Sequence, residues 1–189
     1  MRLFVALSIS AEVRDSLASL LIQLHRADSK LRWVHPSNLH VTLKFIGNSR
    51  DEQLPNIIDA LGKVGTPVGI PIEVRRIGFF PNDRRPAVIW AGIDAPPELA
   101  LLAQRVDQVL TECGVSAETR PFRAHLTLAR LKESLLSEPL RAAIRNSKDQ
   151  VFGRQFSTQF HLMESKTKST GAEYTTLHSF PFTTARTQQ

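Results

Sequence analysis

The sequence predicts an α+β domain in which helices pack outside antiparallel strands. Stretches of period-two alternation and stretches with apolar residues at helical spacing follow one another along the chain. Two strand-like runs, Ile72 to Phe80 and Ala87 to Ile93, are joined by only Pro81-Asn82-Asp83-Arg84-Arg85-Pro86, which suits an antiparallel return. One alternating stretch also occurs twice, as NLHVTLKFI from Asn38 and as PFRAHLTLARL from Pro121, which points to a duplicated unit.

In chain order, Leu3 to Ile9 is an apolar run of strand length, read as a buried strand of the mature protein rather than a signal peptide, since only Arg2 supplies positive charge. Ser10 suits an N-cap, with Val13, Leu17, Leu20, Leu21 and Leu24 following at helical spacing. Leu31 to Pro36 is a connection into the first repeated stretch, which Gly47 ends. Ser49 and Glu52 have capping-box spacing ahead of Leu54, Ile57, Ile58 and Leu61, although Pro55 is better placed as the helix start. Gly65 to Pro71 is a loop. After the strand pair, Pro97 fits the first turn of a helix striped by Leu99, Leu102, Val106, Val109, Leu110 and Cys113, and Gly114 stops it. Beyond the second repeat, Ser134 to Ile144 is helical despite Pro139. Val151 to Glu164 alternates through Phe156, Phe160 and Leu162. Lys166 to Ala172 is a polar turn, Tyr174 to Phe182 a returning strand, and the tail from Thr183 loose.

The 189 residues are enough for a core that hides ~70% of the unfolded surface. They fit one domain, or two lobes sharing a core. A net charge of +6 and a pI near 10.0 favour an anionic partner: nucleic acid, nucleotide or phosphate. Lys44, Arg120, Arg123 and Arg130 gather around the repeats and are expected to rim a binding groove. Cys113 is the single cysteine, so no internal disulfide forms; a buried structural thiol and a reducing cytoplasm are expected. No apolar run approaches the ~20 residues of a membrane span.

The repeats carry the chemistry. On a strand His40 and Thr42 share one face with Lys44, while Leu39, Val41, Leu43 and Phe45 line the other; His125 and Thr127 repeat that spacing. With 13 Thr and 23 Leu in the chain, two copies of His-x-Thr-Leu among 6 His arise by chance in on the order of one in a thousand such sequences. Facing each other across a groove, the strands bring two imidazoles and two hydroxyls to one point. One imidazole can take a proton from a nucleophile while the other gives one to a leaving oxygen. The hydroxyls can donate to non-bridging oxygens. That set suits displacement at a phosphodiester. It makes a poor zinc shell, and no HExxH, CxxC or phosphate-cradling glycine loop occurs, so neither metal nor ATP is expected. His25, His35, His161 and His178 are read as structural or solvated, and Trp33 and Trp90 as packing residues, with Trp33 near enough to the motif to line the groove.

These residues, together with RLFVAL at 2–7, AVIWAGI at 87–93 and FHLMESK at 160–166 followed by Tyr174, resemble the 2H phosphoesterase superfamily. More closely, they resemble the bacterial and archaeal RNA 2',3'-cyclic phosphodiesterases, historically called 2'-5' RNA ligases. The resemblance spans nearly the whole chain. It implies a bilobal fold of two pseudo-symmetric antiparallel sheets around a central cleft, a single domain whose sequence halves are roughly 1–85 and 86–189, with the termini shared between lobes. It implies cofactor-free hydrolysis of an RNA terminal 2',3'-cyclic phosphate to a 2'-phosphate, with His40 as proton donor, His125 as proton acceptor, and Thr42 and Thr127 on the phosphate. A weak 2'-5' joining of RNA ends belongs to the same family. Phe45 and Arg130, each five residues beyond a motif histidine, stand where the family places substrate contacts; strict alternation puts both on the face opposite the histidine. The expected partners are RNA ends or nucleotides carrying a cyclic phosphate, acted on by a monomer. A cyclic phosphodiesterase of small nucleotides, and a non-catalytic RNA- or nucleotide-binding module, remain as alternatives.

Overall fold

The computed structural model describes residues 1–66, 68–132, 135–168 and 171–182. Its strands are β1 (Arg2–Ser8), β2 (Arg32–Trp33), β3 (His40–Asn48), β4 (Ile70–Phe80), β5 (Val88–Asp94), β6 (His125–Arg130), β7 (Val151–Ser157), β8 (Gln159–Lys168) and β9 (Gly171–Pro181). Its helices are α1 (Ala11–Ala27), α2 (Leu54–Gly62), α3 (Pro97–Glu112) and α4 (Glu138–Ser147). The fold class is the α+β expected.

The strands pair antiparallel in the order β7-β4-β5-β6-β3-β1-β8-β9. That order mirrors itself about the β6–β3 junction, where the two motif strands meet. The junction is a single paired position, Val41 opposite Leu126. Beyond it the short β2 takes the place beside β6, with Arg32 opposite Arg130 and Trp33 opposite Ala129, and Val34 N–H donating to the Leu128 carbonyl at 2.8 Å. β2 is thus a wedge that satisfies the backbone of β6 while holding β3 away from it. The sheet is thus two four-stranded halves joined through one paired position.

Each half takes a helix from a strand of the other. α1 follows β1 but packs on β7 and α4; α3 follows β5 but packs on β3 and α2. Ser10 caps α1, its Oγ accepting from Val13 N–H at 3.2 Å, and Val13, Leu17, Leu20, Leu21 and Leu24 are all buried. On α3 the buried stripe is Leu99, Leu102, Ala103, Val106 and Leu110. Each leucine so buried contributes about 1.5–3 kcal/mol, which fixes both halves to a common core. No helix among the described residues is long and apolar enough to cross a membrane.

Several local expectations change. The first motif strand begins at His40, because Pro36–Asn38 forms a 3-10 turn, and it runs through Gly47 (φ 86°) to Asn48. α2 starts at Leu54 with Pro55 in its first turn. The capping pair ahead of it is Arg50 with Gln53 rather than Ser49 with Glu52, Gln53 Oε1 accepting from Arg50 N–H at 2.9 Å. Val151 to Glu164 is two strands rather than one alternation, and Phe156 is 60% exposed. Cys113 caps α3 half-buried, not buried. Ser134 and the tail from Thr183 lie outside the described residues.

Candidate active site

His40 and His125 each open a motif strand, on either side of the one position where the strands touch. Extending the Val41–Leu126 register by one residue each way sets His40 across from Thr127 and Thr42 across from His125. Directly opposite residues on paired strands share a face. The two imidazoles and two hydroxyls therefore alternate around one point. The structure brings together all four residues that the repeat singled out.

Both rings are held the same way. His40 Nδ1 lies 2.7 Å from the Asn38 carbonyl, and His125 Nδ1 lies 2.7 Å from the Arg123 carbonyl. A carbonyl only accepts, so Nδ1 carries the proton and Nε2 is left for exchange with a ligand. Aromatic edges and faces fix the ring planes. Phe4 and Tyr174 stand 4.8 and 5.2 Å from His40, and Phe80 stands 5.0 Å from His125. Trp90, opposite Thr127, lies 5.3 Å from Phe80 and over Gly78, where any Cβ would run into the indole.

Burial pushes both histidines below the usual imidazole range, the carbonyl partners oppose that shift, and the Arg130 charge adds to it at both rings. His40 also feels His125. Both rings therefore take up a proton at lower pH than a free imidazole.

The strict alternation that put Phe45 and Arg130 on the far face fails, and for the same reason at both. Val5 pairs with Lys44 and Ala6 with Thr42, so Leu43 is an extra residue in β3. Ile89 pairs with Ala129 and Trp90 with Thr127, so Leu128 is an extra residue in β6. The leucine of each His-x-Thr-Leu is thus a β-bulge, which shifts side-chain parity by one. Phe45, 55% exposed, comes opposite Phe4 on the His40 face, and Arg130 comes opposite Val88 on the His125 face. Lys44 moves the other way. It is buried and does not rim the cleft; its Nζ lies 2.5 Å from Asp107 Oδ1 and donates to the Ser116 carbonyl at 2.6 Å. Of the other rim cations, Arg120 pairs with Glu118 and Arg123 is exposed beside His125.

Arg32 was not legible as a site residue. β2 is too short to show a period, yet it sets Arg32 opposite Arg130. Its neighbour Trp33 turns into the core, with Nε1 donating to the Asp28 carbonyl at 2.8 Å, and so does not line the cleft. No group of three or more His, Cys, Asp or Glu placed to hold a metal occurs among the described residues.

A family model described as LigT-like phosphoesterase matches residues 7–90 and 93–170. The RNA 2',3'-cyclic phosphodiesterase of Archaeoglobus fulgidus is 32% identical over 180 residues, covering 95% of this chain and 99% of its own. Among solved structures, a protein of Thermus thermophilus matches with a TM-score of 0.79 at 28% identity, over 96% of this chain and 98% of its own. E. coli LigT complexed with 3'-AMP matches with a TM-score of 0.77 at 25% identity, over 96% of this chain and 98% of its own.

Proposed function

The chain belongs to the LigT-like phosphoesterase family, and on that premise we propose that it hydrolyses the 2',3'-cyclic phosphate at an RNA end to a 2'-phosphate, without a metal. The observation that carries the reading is the crossed placement of the two His-x-Thr pairs, each histidine facing the threonine of the other repeat. His125 Nε2 takes a proton from water, and the water oxygen attacks phosphorus in line with O3'. The P–O3' bond breaks, and O3' leaves with the proton that His40 carried on Nε2. The 2'-phosphate remains. Thr42 and Thr127 donate to the non-bridging oxygens, and Arg130, with Arg32 beside it, offsets the charge that grows there. Phe45 stacks on the terminal base. Two imidazoles with two hydroxyls are a complete acid–base set and an incomplete metal shell, which supports the metal-free reading. With an RNA 5'-hydroxyl in place of water, the same steps join ends through a 2'-5' linkage. We read the whole chain as one domain of two lobes from a duplicated unit, supported by the mirrored strand order and the exchanged helices.

The test is an oligonucleotide ending in a 2',3'-cyclic phosphate, incubated with the protein in excess EDTA, with the product isomer identified by 31P NMR. A 2'-phosphate is expected. A 3'-phosphate, an unchanged cyclic end, or dependence on a divalent ion overturns the reading.

A further inference from the structure

A second polar row starts at His40 and runs away from the acid–base pair. Ser8 pairs with His40 on the neighbouring strand. Ala6, two residues back on the same face, pairs with His161 of β8, and His161 pairs with Ser179 of β9. His40, Ser8, His161 and Ser179 therefore lie on one face of four successive strands, at steps of about 4.8 Å. The middle of the row is built. His161 is only 8% exposed, and both its ring nitrogens are engaged: Nε2 is 3.2 Å from Ser8 Oγ and Nδ1 is 2.9 Å from Ser179 Oγ. The two serines are exposed. A buried ring that spends both nitrogens on exposed hydroxyls orients them for something outside the sheet.

The chemistry of that orientation is specific. Burial holds His161 below the usual imidazole range, so the Ser8–His161–Ser179 part of the row is neutral near pH 7. A neutral ring has one N–H and one bare nitrogen. One serine must give its proton to the bare nitrogen and then offers only lone pairs outward. The other accepts from the N–H and keeps its own proton free. Moving the ring proton from one nitrogen to the other exchanges the roles. Ser8 can therefore meet a ligand as donor or as acceptor, without a net charge. A phosphate oxygen needs a donor and gains from a cation, which Ser8, His161 and Ser179 lack. A ribose hydroxyl is itself donor and acceptor, and it matches.

We propose that Ser8, oriented by the buried His161 and Ser179, reads the 2'-hydroxyl of the nucleotide that precedes the cyclic end. This rests on the proposed RNA substrate. The terminal ribose has both its 2'- and 3'-oxygens in the cyclic phosphate, so the first free 2'-hydroxyl belongs to the preceding nucleotide. The 2'-hydroxyl is also the group by which a protein separates RNA from DNA at a given position. Ser8 is a binding residue in this scheme, and His161 is a positioning residue.

The experiment compares kcat/KM for two oligonucleotides with the same 2',3'-cyclic end, one all-ribose and one carrying a single 2'-deoxy sugar at the penultimate position. The ribo-to-deoxy ratio is taken within each protein, so partial loss of folded material cancels. Wild type is expected to prefer the all-ribose substrate by about two- to twelvefold, the range of one neutral hydrogen bond. Ser8→Ala and His161→Gln are each expected to bring the ratio to about one. A wild-type ratio of one overturns the proposal, and so does a wild-type preference that survives in Ser8→Ala. If wild type hydrolyses neither substrate, it is the phosphodiesterase reading that has failed; hydrolysis of both at equal rates refutes the Ser8 assignment alone.

Discussion

Removing the Lys44 ammonium tests the bulge that builds the site. The Lys44 side chain is 4% exposed, with Nζ 2.5 Å from Asp107 Oδ1 and 2.6 Å from the Ser116 carbonyl. Taking one partner from a buried pair costs about 3–5 kcal/mol, because the other charge is left desolvated. Asp107 is 25% exposed and also accepts from Glu118 N–H at 3.1 Å, so Lys44→Ala belongs at the low end, about 3 kcal/mol. With a urea m value of about 2 kcal/mol/M, that is a midpoint shift of about 1.5 M at unchanged slope. Asp59→Ala, which breaks the Lys63–Asp59 pair where both side chains are about 70% exposed, is the control and should move the midpoint little or not at all. Lys44→Ala should also impair turnover, because the anchored lysine holds the β3 bulge that turns Phe45 to the His40 face. A Lys44→Ala protein no less stable than Asp59→Ala would refute the argument that burial of this lysine fixes the strand.

The remaining predictions concern pH and the base contact. Both motif histidines sit below the usual imidazole range, and the proposed mechanism requires one protonated and the other not, so kcat/KM should be bell-shaped with its optimum below about pH 6.5. Arg130 depresses both, so Arg130→Gln should move the whole bell to higher pH; an unmoved profile contradicts its placement beside both rings. Stability should follow the same groups: the unfolded chain binds protons near pH 6.5 that the buried rings of His40, His125 and His161 resist, so urea midpoints should fall as pH drops below that value and level off below the folded pKa values. Midpoints that are flat from about pH 7 to about pH 5 contradict this. Phe45→Ala should weaken oligonucleotide binding by roughly 5- to 150-fold, the range of one base–aromatic stack, without changing its salt dependence. A change in salt slope would mean that the substitution had disturbed phosphate contacts instead.

What the sequence carried was local. Ser10 as a cap, the stripes of α1 and α3, Pro97, Gly114 and the two His-x-Thr pairs all rest on spacing within one element, and the structure holds each where spacing places it, apart from Cys113 at the end of the α3 stripe. What it did not carry depends on partner strands. A bulge is a mismatch between two registers, so neither Leu43 nor Leu128 announces itself, and the two residues that follow each are assigned to the wrong face. Lys44, Phe45 and Arg130 were all misplaced for that one reason. Phe156 failed differently: it lies across from the exposed Pro71, on the face of β4 away from the buried Ile70 and Ile72. Ser8 is separated from His161 and Ser179 by most of the chain and meets them only because β8 returns beside β1. The repetition of one error in both motifs was the available clue, since Phe45 and Arg130 hold the same place in each copy.

The central claim is that His40 and His125 act as one acid–base pair on a cyclic phosphate. The most direct measurement is single-turnover hydrolysis of an RNA 2',3'-cyclic end by wild type, His40→Ala and His125→Ala, each checked for a cooperative urea transition. Each substitution should slow the step by about 10²–10⁴-fold, and each should abolish one limb of the pH bell, the limb of the histidine removed. If either variant hydrolyses the cyclic phosphate at close to the wild-type rate with both limbs intact, the pair does not do the chemistry.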